Sequence, residues 1–193
     1  MVSKNDKKII IGLYSPAPQS GKSTIANLLV ANYGFECFSF ASPIKSMIYT
    51  AFAERGLGWD AYKTLQQIKE AKIPLFYNKS YRELLQSLGD WGRSQDVNMW
   101  VDMLFNGRRE SNRMVIDDVR FPNEFYKIKK EGGILLRVNR PSAKKPNKHS
   151  SEGGLDALNF DGIINNNNDM TWLAEQVHLF MKKLDVSFDF QMD

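Results

Sequence analysis

The sequence predicts an α/β layer protein with a mostly parallel central sheet of about five strands. Three observations carry that expectation. Short apolar runs, beginning with "IIIGLY", are continuous rather than alternating, as in strands covered on both faces. Segments with helical spacing separate these runs. The stretch "SPAPQSGKST", Ser15 to Thr24, joins the first strand to the first helix through a turn of small residues ending in Gly-Lys-Ser.

Taken in order, Ile9 to Tyr14 reads as a buried strand rich in β-branched residues. Ser23 to Asn32 reads as a helix, with Ile25, Leu28 and Leu29 at helical spacing and Gly34 as its stop. "FECFSF" is the second strand, and its Cys37 is expected to be a small buried side chain. "SPIKSMIYTAFAERG" is a helix with Ser42 as cap and Pro43 in the first position. A more polar helix is expected from Trp59 to Lys72, before "IPLFYNKS". Two helices follow. "YRELLQSLGDWGR" turns Leu84, Leu85 and Leu88 inward and has a small break at "LGDWG"; "NMWVDMLFNGR" turns Trp100, Met103 and Leu104 inward. "RMVIDDVRF" is a strand ending in two acids, a short helix runs from Pro122 to about Glu131, and "GGILLRV" is the next strand. Ile163 and Ile164 mark a last short strand, and the closing helix carries Leu173, Val177, Phe180, Met181 and Leu184 on one face.

The bulk properties narrow the class of function. A chain of 193 residues with 42% apolar and 25% charged residues suits one globular domain, expected to span 1–193. No apolar stretch approaches the roughly 20 residues that cross a bilayer, so no membrane is expected. The polar start "MVSKNDKK" and the short apolar run behind it argue against a secretory signal. A single cysteine cannot form an internal disulfide, which points to a reducing cytoplasm. The net charge of +4 suits anionic ligands but is too mild to imply nucleic acid. His149 and His178 lie near neither a cysteine nor each other, so no zinc-type site is expected.

The Gly-Lys-Ser turn carries the chemistry. A strand, a turn and a helix opening on Gly-Lys-Ser/Thr aim backbone amides and a helix N-terminus at phosphate, while lysine reaches the β- and γ-phosphates and the hydroxyl ligates magnesium. Ala17, Ser20, Gly21, Lys22, Ser23 and Thr24 are therefore the expected ATP contacts. The full pattern asks for glycine at position 16, where this chain has Pro16. Proline fits if that position only shapes the turn, with φ negative and its N–H unused. Asp117 and Asp118, at the end of a hydrophobic strand, sit where a second acid meets magnesium; Ser23 and Asp117 are the expected metal ligands, with the choice between Asp117 and Asp118 left open.

"SGKST", "FASPIK", "LLQSLGDWGR", the tryptophan of "NMWVDML", "VIDDVRFPNE", "GGILLRVNRP", "HSSE" and "IINN" occur in an order that resembles the deoxynucleoside monophosphate kinases of tailed bacteriophages. The resemblance covers roughly residues 8–183, and "DDVRFPNE" and "LGDWGR" are its discriminating segments. It implies a three-layer P-loop kinase fold with a helical substrate-binding insert at about 42–110 and a short lid loop at about 137–152. It also implies transfer of phosphate from ATP, with Mg²⁺, to a 2′-deoxynucleoside 5′-monophosphate in the cytoplasm, that of a host cell if the chain is of phage origin. ATP and the monophosphate are the expected partners, and a homodimer is left open. Phosphomevalonate kinases share the layout and an "HxSE"-like segment, so a small-molecule kinase is the alternative, with a non-catalytic nucleotide-binding protein the other.

Residue roles follow from that resemblance. Lys22, Arg120 and Arg140 are the catalytic candidates, with Arg140 swinging over the donor phosphates from the lid. Arg82, Arg93 and Arg120 would grip the acceptor phosphate or form ordinary ion pairs; guanidinium forks fit phosphate oxygens. Lys45 joins the substrate contacts. Trp100 would stack on the base or lie in the core, and Gly89 and Asp90 would let backbone approach the nucleotide or merely kink the helix. Asp118 and Glu124 would hold the acceptor sugar or base, or the metal. Arg137 and Asn165 complete the expected ATP contacts, with Asn166 beside Asn165 near the adenine, and His149 and Glu152 would anchor the closed lid.

Overall fold

A computed structural model describes residues 8–107, 111–143 and 154–185. Its elements in chain order are β1 (Ile9–Tyr14), α1 (Lys22–Tyr33), β2 (Glu36–Phe38), α2 (Ser42–Ala53), α3 (Trp59–Gln67), β3 (Lys72–Ile73), β4 (Lys79–Ser80), α4 (Tyr81–Gln95), α5 (Met99–Gly107), β5 (Arg113–Val119), α6 (Pro122–Lys130), β6 (Ile134–Asn139), β7 (Gly162–Asn165) and α7 (Met170–Lys183). They fall into two compact units, one of residues 1–39 with 108–193 and one of residues 40–107.

The first unit is an α/β sandwich around a five-stranded sheet in the order β2-β5-β1-β6-β7. Every neighbouring pair is parallel, so all strands end at one edge. One face carries Ile11, Leu13, Val115, Leu136, Val138 and Ile164, which pack with Ile25 and Leu29 of α1 and Leu173, Val177 and Met181 of α7. Phe180 and Leu184 pack against that cluster half-buried, as the spacing in the closing helix predicts. α6 covers the other face. Gly12 makes that approach possible, since a Cβ there would lie 2.8 Å from Ile128 Cδ1 and 2.7 Å from Leu135 Cδ2. α1 stops where expected, at Gly34 with φ 65°. Cys37, expected to be buried, is exposed: it lies on the three-residue edge strand β2, where Glu36 is exposed too.

The second unit is helical with a two-stranded antiparallel ribbon, β3 with β4. Its core gathers Ile44, Ile48, Phe52, Tyr62, Ile73, Tyr81 and Trp100, with Leu84, Leu85 and Leu88 packed against it. The cap of α2 lies one residue earlier than expected, at Ala41, and no side chain fills it. α3 ends at Gln67 rather than Lys72, because the chain turns there, Ala71 N donating to Ile68 O at 2.8 Å. Met103 faces solvent: the buried face of α5 is Trp100, Val101, Leu104 and Phe105, a stripe rotated one residue away from it. α4 begins with a Ser80–Glu83 capping box and runs unbroken through "LGDWG".

Candidate active site

The loop after β1 shows how Pro16 is accommodated. Ser15 Oγ accepts from Ala17 N at 3.3 Å, closing a turn across the proline that asks for no amide at position 16. The left-handed positions fall at Gln19 (φ 58°) and Gly21 (φ 101°) instead. Gly21 is the N-cap of α1, no side chain caps the helix, and its first turn holds no acid. These amides and the helix dipole therefore favour an anion. Lys22 and Thr24 are half-buried at that helix start, and Ser23 is exposed.

The two acids of β5 are aimed by a slip in the sheet. Gly12 pairs with Ile116, but Tyr14 pairs with Val119, so β5 holds one extra residue at Asp117–Asp118. Such a bulge redirects side chains at a strand end. Asp117 Oδ2 accepts from Ser23 Oγ at 2.8 Å, and Asp118 Oδ2 accepts from Ser39 Oγ at 2.6 Å. Of the two acids, Asp117 is thus the one that meets the first helix. Two hard oxygen donors beside a phosphate-type loop fit magnesium, which takes one or two protein ligands and keeps phosphate and water in the others. Among the described residues no cluster of three or more His, Cys, Asp or Glu exists, and such a site needs none.

Glu124 has a task at the turn into α6. It is buried, and its Oε2 accepts from the amides of Arg120 (2.6 Å) and Phe121 (3.0 Å), fixing the turn into α6. Through that bond it fixes the backbone of Arg120. Burial first, then the nearby Asp118 carboxylate, pushes Glu124 from 4.5 up to about 8. Between those values the folded protein holds a proton that the unfolded chain has lost, so stability falls as pH rises through the window. Glu124→Gln keeps an oxygen acceptor for both amides. It is expected to remove most of that slope, up to about 1.4 kcal/mol per pH unit, in urea unfolding followed from pH 5 to 8. An unchanged slope would assign the pH dependence elsewhere.

β6 and β7 bring the remaining expected donors to the same edge, with some reassignment. Arg137 is engaged by Asp156, Nη1 to Oδ1 at 2.9 Å, and its Nε donates to Asn139 Oδ1 at 3.0 Å. Asp156 Oδ1 also accepts from the Tyr14 hydroxyl at 2.8 Å, and burial together with this carboxylate raises the phenol above its ordinary value. Arg137 therefore ties β6 and β1 to the chain at Asp156. Arg140 does reach the loop, Nη1 donating to Gln19 O at 3.1 Å. Asn165 is exposed, its Oδ1 within 3.4 Å of Asn139 Nδ2. Asn166 is buried and donates from Nδ2 to Ser20 O at 2.9 Å. Ser20 itself is buried, with no partner for Oγ among the described residues. The rest of the expected lid, 144–152 with His149 and Glu152, lies outside the described residues.

In the helical unit the expected contacts are drawn into structure. Trp100 is 3% exposed, a core residue whose Nε1 donates to Gly89 O at 3.0 Å; buried in this way it offers no ring face for a base. Gly89 correspondingly does not break the helix, and its carbonyl is occupied by that bond. Arg93 pairs with Asp90 at 2.6 Å, and Arg82 pairs with Glu70. Lys45 is half-buried on α2, and its carbonyl accepts from the Tyr62 hydroxyl at 2.8 Å.

Sequence reasoning missed Ser39, Asp156 and the loop-anchoring role of Asn166. Each matters through a partner 79 to 146 residues away, and no local pattern signals that.

A parallel sheet whose first strand runs into a glycine turn and an uncapped helix start, with an acid of the neighbouring strand bonded to the helix's serine, defines an α/β protein whose first loop is open to an anion. The profile of the deoxynucleotide monophosphate kinase family matches residues 56–177, and the chain belongs to that family. It is 28% identical over 187 residues to a protein of Acanthamoeba polyphaga mimivirus described as "Putative deoxynucleotide monophosphate kinase", covering 88% of this chain and 94% of that one. Among solved structures it is similar to an unliganded sugar kinase from Janibacter sp. HTCC2649, at TM-score 0.42 and 15% identity, covering 94% of this chain and 96% of that chain. Shikimate kinase from Bacteroides thetaiotaomicron is similar at TM-score 0.44 and 13% identity, covering 92% of this chain and 98% of that chain. No described helix is long and apolar enough to cross a membrane. The family makes the chain a nucleotide kinase, a phosphotransferase.

Proposed function

We propose that this protein transfers the γ-phosphoryl group of ATP to a 2′-deoxynucleoside 5′-monophosphate, giving the diphosphate, in the cytoplasm. The observation that carries the reading is the 2.8 Å bond from Ser23 Oγ to Asp117 Oδ2 beneath the Gly21 turn. It supports a loop built for a triphosphate with its magnesium. Ser23 and Asp117 would hold Mg²⁺, which when bound neutralises charge on the donor phosphates. The amides of the loop and Lys22 bind those phosphates. The acceptor is already an anion, so no general base is required, and the chain's work is alignment and charge neutralisation.

Arg140, bonded to Gln19 O of the loop, would swing over the donor phosphates. Arg120, held by Glu124, serves the transferring group or the acceptor. The helical unit supplies the substrate-binding insert; Lys45, Arg82 and Arg93 would be its substrate contacts, the latter two exchanging Glu70 and Asp90 for the acceptor phosphate. A lid expected within 137–152, of which Arg137 to Asn139 belong to β6, would exclude water, so that ATP transfers rather than hydrolyses.

A panel of deoxy- and ribonucleoside monophosphates, each with ATP and Mg²⁺ and read by ADP release, tests the proposal. ADP formed with one or more deoxynucleoside monophosphates is the expected result. ADP formed only with phosphomevalonate, or with no acceptor at all, would overturn it.

A further inference from the structure

We propose that Asn166 is a positioning residue of the phosphate loop: its side-chain amide sets the orientation of the Ser20–Gly21 peptide, and so the direction in which the Gly21 amide donates. This rests on the phosphate-loop reading above and adds to it a residue 146 positions away in sequence.

Asn166 follows β7 directly and is 7% exposed. Its backbone is fixed by the bond from Asn166 N to Asn139 O at 2.7 Å, which continues the β6–β7 pairing. Its Nδ2 then donates to Ser20 O at 2.9 Å, a buried contact. Only the nitrogen end of the amide can make this bond, because the oxygen end would face a second oxygen. A trans peptide is planar, with C=O and N–H pointing opposite ways. Drawing the Ser20 carbonyl toward Asn166 therefore turns the Gly21 N–H to the other side of the peptide, away from Asn166.

The chain by itself leaves that orientation open. Gly21 has φ 101° and ψ 10°, the angles of the third residue of a type II turn. Rotating the Ser20–Gly21 peptide by about half a turn gives the type I form with nearly the same end points, and glycine enters both without a steric penalty. In the type I form the carbonyl would occupy the side where the amide now lies and would repel phosphate. Asn166 selects between the two. Packing agrees with the bond: a Cβ on Gly21 would lie 2.4 Å from Asn166 Nδ2, so the side chain is seated directly against the turn.

The test uses tripolyphosphate, which has phosphates but no base, beside ATP. Asn166→Leu keeps the approximate shape of the side chain and removes the donor without adding charge. It is expected to weaken tripolyphosphate and ATP binding alike, by about tenfold, as loss of a buried hydrogen bond implies. The KM for the acceptor monophosphate should stay within about twofold, since a general loss of structure would raise both constants.

Tripolyphosphate affinity equal to the parent's overturns the proposal; if ATP alone binds more weakly, Asn166 serves the base instead. A parent protein that binds no tripolyphosphate removes the phosphate-loop reading itself and this role with it. Should Asn166→Leu fail to fold, NMR of the parent with ¹⁵N-labelled glycine and asparagine decides. Tripolyphosphate should shift the Gly21 amide while the Asn166 side-chain amide stays in place, and an unmoved Gly21 amide overturns the proposal.

Discussion

Lys22→Ala is expected to lower phosphoryl transfer by about a thousandfold or more, the scale on which a pre-positioned charge or donor acts on a transition state. The thermal midpoint should stay within a few degrees of the parent's. Lys22 opens α1, whose buried residues are Ile25, Ala26, Leu29 and Tyr33, so truncation removes none of the packing that holds the helix to the sheet. What is lost is a cation beside the loop amides, where developing charge on the transferred group needs it. The measurements are ADP release at saturating acceptor, ATP affinity, and a circular dichroism melt. Turnover within tenfold of the parent in a folded variant would remove the loop from the reaction.

Gly92→Ala should destabilise the helical unit by about 3 kcal/mol, the sum of an overpacked core and a lost buried hydrogen bond. The sign is opposite to that of helix propensity, which favours alanine over glycine by about 1 kcal/mol. Geometry decides the matter. A Cβ on Gly92 would stand 2.1 Å from Trp100 Cζ2 and 2.4 Å from Cε2, both atoms of a rigid ring. The ring cannot yield cheaply, because it is buried and its Nε1 is bound to Gly89 O. Gly89→Ala is the internal control: its nearest neighbour is the tip of the Arg93 side chain at 3.1 Å, which can move, so its effect should be small. Urea unfolding followed by tryptophan fluorescence separates the two. Gly92→Ala as stable as the parent would mean that α4 and α5 do not pack through this glycine.

Local pattern was enough for the main sheet and for most helices, but not for the β3–β4 ribbon, whose Lys72 was expected to close a helix. Short apolar stretches, reduced to Ile163 and Ile164 in the last, marked the five strands of the main sheet, Gly34 marked the end of α1, and the alternation of strands with helices gave their parallel arrangement. Gly-Lys-Ser after a strand marked the loop, because the phosphate-binding geometry is made by consecutive residues. Spacing in "NMWVDML" placed Trp100 on an inward stripe but could not say what it meets. A ring at that spacing serves equally as core or as a stacking platform, and only the approach of α4 through Gly92 decides for core. Likewise charge alone made Arg82, Arg93 and Arg137 candidates for phosphate, whereas their carboxylate partners appear only once the chain is folded.

The sequence by itself therefore determined the α/β class and the glycine turn into the first helix, since both are written in short-range periodicity and in a run of adjacent residues. Tertiary structure decided how the site is aimed: the extra residue in β5 that turns Asp117 to Ser23, and the closure of the sheet that brings Asn166 against Ser20. The physical reason is that backbone preference acts over a few neighbouring residues. Strand order, register and packing join residues more than a hundred positions apart, and those pairings take shape only when the core closes.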